Sequence, residues 1–245
     1  MAPVVLAALA AALFLQGVAR LRGRGRADVA GRDRIALFGL GLAVTVGALV
    51  GPMDRLSDSH LWAHMLQHVL IGDAAVALLV VAVRGPLLVF LLPAPVLVQV
   101  ARARSFFSLL LRPRVAFALW AANLAVWHLP YLYDLALRHQ AVHDAEHLCW
   151  VVAGLLVWTL LVDPGSHKRL TAGGRIALAA AMFAAGEILA DVLIFSFHPL
   201  YPAYPGHTDQ QIAGVVMMVE QLVTLGAVTF VLLRPRLRSA RLVAA

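Results

Sequence analysis

LWAHMLQHVLIGDAAVALLVVAV, residues 61–83, decides the class of fold. Across the whole run there is one carboxylate, Asp73, and no lysine or arginine. At about 1.5 Å of rise per residue, such a stretch is long enough to cross about 30 Å of hydrocarbon. Its apolar residues follow one another without alternation, so it is a helix rather than a barrel strand. Around its start stand His60, His64 and His68, four residues apart. That spacing puts them on successive turns along one side of a helix, drifting by about 40° per step. Two imidazoles at i and i+4 can grip one metal ion, and His68 falls roughly 10 Å inside the helix end.

The remainder of the chain repeats the theme. Of 245 residues, 62% are hydrophobic and 13% charged. The apolar blocks predict an all-α, polytopic transmembrane helical bundle in a single domain over 1–245, with about seven spans. The expected spans are 3–19, 35–51, 61–83, 115–131, 143–162, 175–197 and 210–233. Eighteen of the twenty Lys and Arg lie in four segments, Arg20 to Arg34, Arg84 to Arg114, Lys168 to Arg175 and Arg234 to Arg241. Only Arg55 and Arg138 lie on the other side. Basic loops mark the cytoplasmic face, which predicts an N-terminus outside and a C-terminus inside, and the Ala, Arg and Gly bias suits the cytoplasmic membrane of a GC-rich bacterium. The formal charge of +7 is accounted for by orientation and anionic lipid, and nucleic acid is not an expected partner. The first run is followed, not preceded, by its basic cluster, so it reads as a retained helix rather than a signal peptide. Residues 86–100, interrupted by Pro93 and Pro95, reach only about 23 Å as a helix and read as interfacial or re-entrant.

The histidines take the opposite edge. His128 ends one run, and His143 and His147 begin the next with Glu146 between them on nearly the same face. HDAEH, residues 143–147, therefore offers two imidazoles and a carboxylate that can bind metal, orient an imidazole or act as a base. Asp209, Met217 and Met218 in DQQIAGVVMM add further candidates, and thioether sulfur tilts a His and Met set towards copper, as Cu(I) or Cu(II), ahead of zinc. Each histidine taken singly is equally a polar edge meeting interfacial water, and each methionine an apolar filler. Two i,i+4 pairs at one predicted depth favour a site. The single cysteine, Cys149, excludes an intrachain disulfide and a CxxC motif, and reads as a small core residue. Asp73, Glu187, Asp191 and Glu220 fall inside predicted spans, where they serve a proton or cation path or are hydrogen-bonded structural groups.

With these residues assembled, the chain resembles the CtaG family of membrane-integral assembly factors for caa-type cytochrome c oxidase. The resemblance rests on HMLQH at His64 to His68, WHLPYLYDLAL at Trp127 to Leu137, VHDAEH at Val142 to His147, PLYPAY at Pro199 to Tyr204 and DQQIAG at Asp209 to Gly214. It implies a non-enzymatic protein needed for an active heme-copper oxidase, supplying copper to an oxidase subunit and drawing on a periplasmic or extracellular copper donor. His64, His68, His143, Glu146, His147 and Asp209 carry over as motif residues, with Met217 and Met218 at the methionine position, and Tyr133, Asp134 and Gln210 in supporting roles. The chain departs from the pattern at Asp73 and at Met218–Val219. The competing readings are a heme-binding or redox membrane protein, a zinc-dependent intramembrane hydrolase using Glu146 as base, and a transporter or assembly scaffold.

Overall fold

The computed structural model describes residues 2–243, and side chains as far as Arg234. The side chains of Arg236, Arg238 and Arg241, assigned above to the cytoplasmic face, lie outside the described residues. The fold is all-α, with no strand among the described residues. Its long helices are α1 (Ala2–Gly23), α2 (Arg32–Leu49), α3 (Leu61–Ala82), α4 (Pro113–Trp127), α5 (Gln140–Val162), α6 (Ala172–Phe195) and α7 (His207–Val243). By length and composition five of them, α1, α3, α5, α6 and α7, are able to cross a membrane. A sixth is added if the helix Arg104–Leu110 and α4, bent by 68° at their junction, are taken together. α2 begins with Arg32, Asp33 and Arg34, which makes its first turn polar.

Hydrogen bonds between connections show which ends lie together. At the basic end, the Arg34 guanidinium donates to the carbonyls of Ala82 (3.2 Å) and Arg84 (2.9 Å), and Gly85 N–H donates to Pro164 O at 2.7 Å. At the opposite end Leu61 N–H donates to Asp209 at 2.7 Å, Tyr204 O–H to Ser57 O at 2.5 Å and Tyr201 O–H to His128 O at 3.1 Å. The basic connections and the histidine-bearing ones therefore occupy opposite ends of the bundle.

Proline explains where the helices depart from expectation. α4 stops at Trp127, short of the expected residue 131, because Pro130 lacks an N–H and forces Leu129 into an extended conformation (φ −64°, ψ 126°). A separate helix, Pro130–Arg138, follows where the sequence suggested only a connection. Residues 86–100 form two short helices, Leu87–Leu91 and Ala94–Arg102, broken at Pro93. The first packs on α1, with Leu87 buried beside Phe14, Val18 and Leu21. Cys149, expected in the core, is instead exposed on the outer face of α5, because Glu146 and Trp150 take the buried side of that helix.

Packing among α3, α5, α6 and α7 relies on small residues. Lipid and core are equally apolar, so association depends on close approach rather than on hiding apolar surface. Gly214 of α7 is so near α6 that a Cβ there would lie 2.7 Å from the Ala190 carbonyl oxygen. The tightest approach is between α3 and α5, where a Cβ on Gly154 would overlap the carbonyl oxygen of Gly72. Gly72 belongs to a wide π-turn, Leu70–Ala74, that interrupts α3. Such widened turns are frequent at functional sites. Because the obstructing atom at Gly154 is backbone, Gly154→Ala is expected to destabilise the protein by about 1–3 kcal/mol, as overpacking does. Gly39→Ala on α2, which meets open space, is the matched control. Thermal unfolding in detergent checks this, and equal midpoints for the two variants would refute the close approach.

Candidate metal centre

α3 and α5 each bring one i,i+4 pair to the same place. His64 and His68 are 1% and 2% exposed, and Glu146 is 1% exposed, while His143 and His147 are half-buried at the edge. One ligand atom from each of His64, His68, His143 and Glu146 lies within 4.8 Å of all the others. Within this group, His64 Nε2 and His68 Nε2 stand 3.1 Å apart, and His68 Nε2 is 3.6 Å from Glu146 Oε1. His147 adjoins them, its ring centroid 4.2 Å from that of His143 and 5.3 Å from that of His68. Of the candidates read from the sequence, His64, His68, His143 and Glu146 thus lie together, with His147 beside them.

The hydrogen-bond roles can be worked out from the outside inwards. Tyr204 O–H donates to Ser57 O, a carbonyl that can only accept. Burial pushes the Tyr204 hydroxyl above the usual phenol range, so it keeps that proton. His64 Nδ1, 3.1 Å from the same oxygen, must then be the donor. The neutral ring consequently presents a bare Nε2 lone pair to the cluster. Tyr133 lies over His64 with ring centroids 5.2 Å apart, and Tyr201 packs on Tyr133 at 4.2 Å, forming an aromatic roof. Beneath that roof, His143 Nε2, His147 Nε2 and both Glu146 oxygens are buried without a hydrogen-bond partner. An unsatisfied buried polar atom costs about 1–3 kcal/mol, more when charged, and several converge here. A cation would satisfy those of His143 and Glu146, which converge with His64 and His68, and nitrogen and oxygen lone pairs are the donors that such an ion takes. The residues present therefore fit a metal.

The other sequence candidates have different surroundings. Asp209 caps α3 from α7, accepting from Leu61 N–H at 2.7 Å and Trp62 N–H at 3.4 Å, where His60 supplies no side-chain cap. Gln210 holds Leu200 N–H, Leu193 O and Ser196, and Gln211 holds Ile194 O, so the DQQ stretch ties α7 to the end of α6. Met217 is buried, but lines a cavity further in, while Met218 is half-buried at the edge of the core. Of the intramembrane acids, Asp73 accepts from Trp158 Nε1–H, Glu220 has both oxygens buried and unpartnered, Glu187 is half-buried and Asp191 is exposed. Trp150, stacked on His68 with centroids 5.5 Å apart, was not singled out in the sequence, where it is one aromatic among many in an apolar helix. The i,i+4 relation of Trp150 to Glu146 was the available signal.

A family model described as cytochrome c oxidase caa3 assembly factor (Caa3_CtaG) matches residues 12–239. No match was found among curated proteins or among solved structures. The matched span contains the whole cluster, its tyrosine roof and the α7 cap, and covers nearly all of the chain. This membrane protein therefore belongs to the cytochrome c oxidase caa3 assembly factor family.

Proposed function

We propose that the protein receives copper, as Cu(I) or Cu(II), at the outer face of the bacterial cytoplasmic membrane and passes it to a subunit of the heme-copper oxidase. The observation that carries this reading is the convergence of His64, His68, His143 and Glu146 within 4.8 Å, with unpartnered lone pairs. Imidazole and carboxylate favour copper over zinc among divalent ions. With no thiolate in the set, the ion is held loosely enough for a partner to take it by ligand exchange. His143 and His147 are the half-buried members and form the edge through which a periplasmic or extracellular donor loads the site. The N-terminus lies outside and the C-terminus inside, seven helices form one domain in contact with bilayer lipid, and no enzymatic step is required. A heme would need a porphyrin-sized slot between opposed imidazoles, whereas the His64 and His68 nitrogens are 3.1 Å apart. A hydrolase would need Glu146 to meet substrate, yet Glu146 is 1% exposed.

Copper content of detergent-purified protein after loading tests the proposal. Wild type is expected to retain copper at stoichiometric level in the outer cluster, and His64→Ala/His147→Ala to lose it while eluting as a folded monodisperse species. Equal or negligible copper in both would sink the reading. Because imidazole must be neutral to bind, affinity is expected to fall as pH drops through the histidine range, where loading also displaces protons from the charged imidazoles. A competition titration across that range reads this directly. Tyr204→Phe removes the acceptor that orients His64, and is expected to weaken copper about 10–100-fold, the usual cost of losing an outer-shell partner. Unchanged affinity would show that Tyr204 does not set the His64 tautomer.

A further inference from the structure

Inward from the cluster, α3, α4, α5 and α7 enclose a cavity of about 20 Å³. That is space for roughly one water-sized occupant. His68 lines it and so stands between it and the outer cluster: His68 Nε2 faces His64 and Glu146, while His68 Nδ1 is buried with no partner. On the α4 side, His128 Nδ1 lies 2.7 Å from the carbonyl oxygen of Leu124, so it carries the proton. The His128 ring is neutral and its lone pair sits on Nε2, again buried and unpartnered. The cavity is also lined by Met65 and Met217, 1% and 2% exposed, whose thioethers are the softest donors on their helices. Gln221, 4% exposed, lines it too and has an unpartnered Oε1. At its inner side is Asp73, held by the Trp158 indole.

A cavity lined only by filler side chains would be apolar and dry. Here four unpartnered polar atoms, His68 Nδ1, His128 Nε2, Gln221 Oε1 and Trp150 Nε1, belong to residues lining one space. We propose that this cavity is a second, inner site for a soft monovalent cation, Cu(I), with His128 Nε2 and the sulfurs of Met65 and Met217 as its donors. Imidazole and thioether are the donors that select Cu(I) over harder ions. A single positive charge there is compensated by the Asp73 carboxylate, at a depth where an uncompensated charge of either sign is costly. The outer cluster, of nitrogen and oxygen donors alone, accepts either oxidation state, whereas the inner site is selective for the reduced ion. This assignment rests on the copper reading of the outer cluster, and His68 is the wall the two sites share.

Anaerobic Cu(I) loading of the full chain in detergent, on a Cys149→Ser background, tests it by copper content and by X-ray absorption at the copper edge. Wild type is expected to hold two Cu(I) per chain with copper–sulfur scattering. Met65→Leu/Met217→Leu, which conserves core volume, is expected to hold one, with light-atom scattering only. His64→Ala/His143→Ala is expected to hold one, with the sulfur signal retained. A wild type that binds one Cu(I) without sulfur scattering overturns the inner site and leaves the outer one standing. Sulfur scattering that survives in the Met65→Leu/Met217→Leu variant also overturns it. Absence of copper from every form overturns both assignments.

Discussion

The close approach of α3 and α5 at Gly72 and Gly154 is the constraint on which the functional geometry depends. A Cβ on Gly154 would overlap the Gly72 carbonyl oxygen and one on Gly72 would lie 3.3 Å from Trp150, so the two backbones meet, and the residues one to two turns outward are brought face to face. On α3 those residues are His64 and His68; on α5 they are Glu146 and Trp150, with His143 a turn further out. The π-turn at Leu70–Ala74 contributes to the same end, because its extra residue widens the helix where Gly72 and Asp73 sit. A regular helix would rotate Asp73 by about 100° relative to His68 per residue inserted or removed, so the turn sets which polar groups share a face.

The outer end of the bundle solves a second problem, that of helix termini in a medium poor in water. Orphan N–H groups at the start of α3 are met by Asp209 from α7, and carbonyls at the end of α6 by Gln210 and Gln211. Tyr204 and Tyr201 reach from the connection between α6 and α7 to Ser57 and His128. The Asp209, Tyr204 and Tyr201 bonds span elements distant in sequence, and with the glutamine bonds they fix the roof over His64. The polar motifs of this end thus divide between those that converge on the cluster and those that hold its walls in register.

Several of the buried polar atoms without partners lie at the cluster or on the same helices further along the chain from it. His143, His147, Glu146 and His68 belong to the two helices of the cluster, His128 and Gln221 line the adjoining cavity, and Glu220 precedes Gln221 on α7. Structural polar groups in a membrane core are normally paired, as the Trp158 bond to Asp73 illustrates. The unpaired ones at and beside the cluster are the feature on which the proposed copper role draws.

Much of this was legible in the sequence. Continuous apolar runs dictate helices because lipid leaves the backbone no other way to satisfy itself, and the i,i+4 histidine pairs can be read directly because helix periodicity is local. The sequence therefore determined by itself the all-α class, the segregation of the basic connections from most of the histidines, and the two i,i+4 histidine pairs with Glu146 as candidates. Only tertiary structure decided that α3 and α5 are neighbours, that Asp209 caps a helix instead of joining the cluster, that Cys149 faces outward, and that Met217 lines a deeper cavity with His128. The reason is physical: which helix faces touch depends on where backbones can approach, and that is set by matched small residues such as Gly72 and Gly154, 82 positions apart, whose pairing no local pattern records.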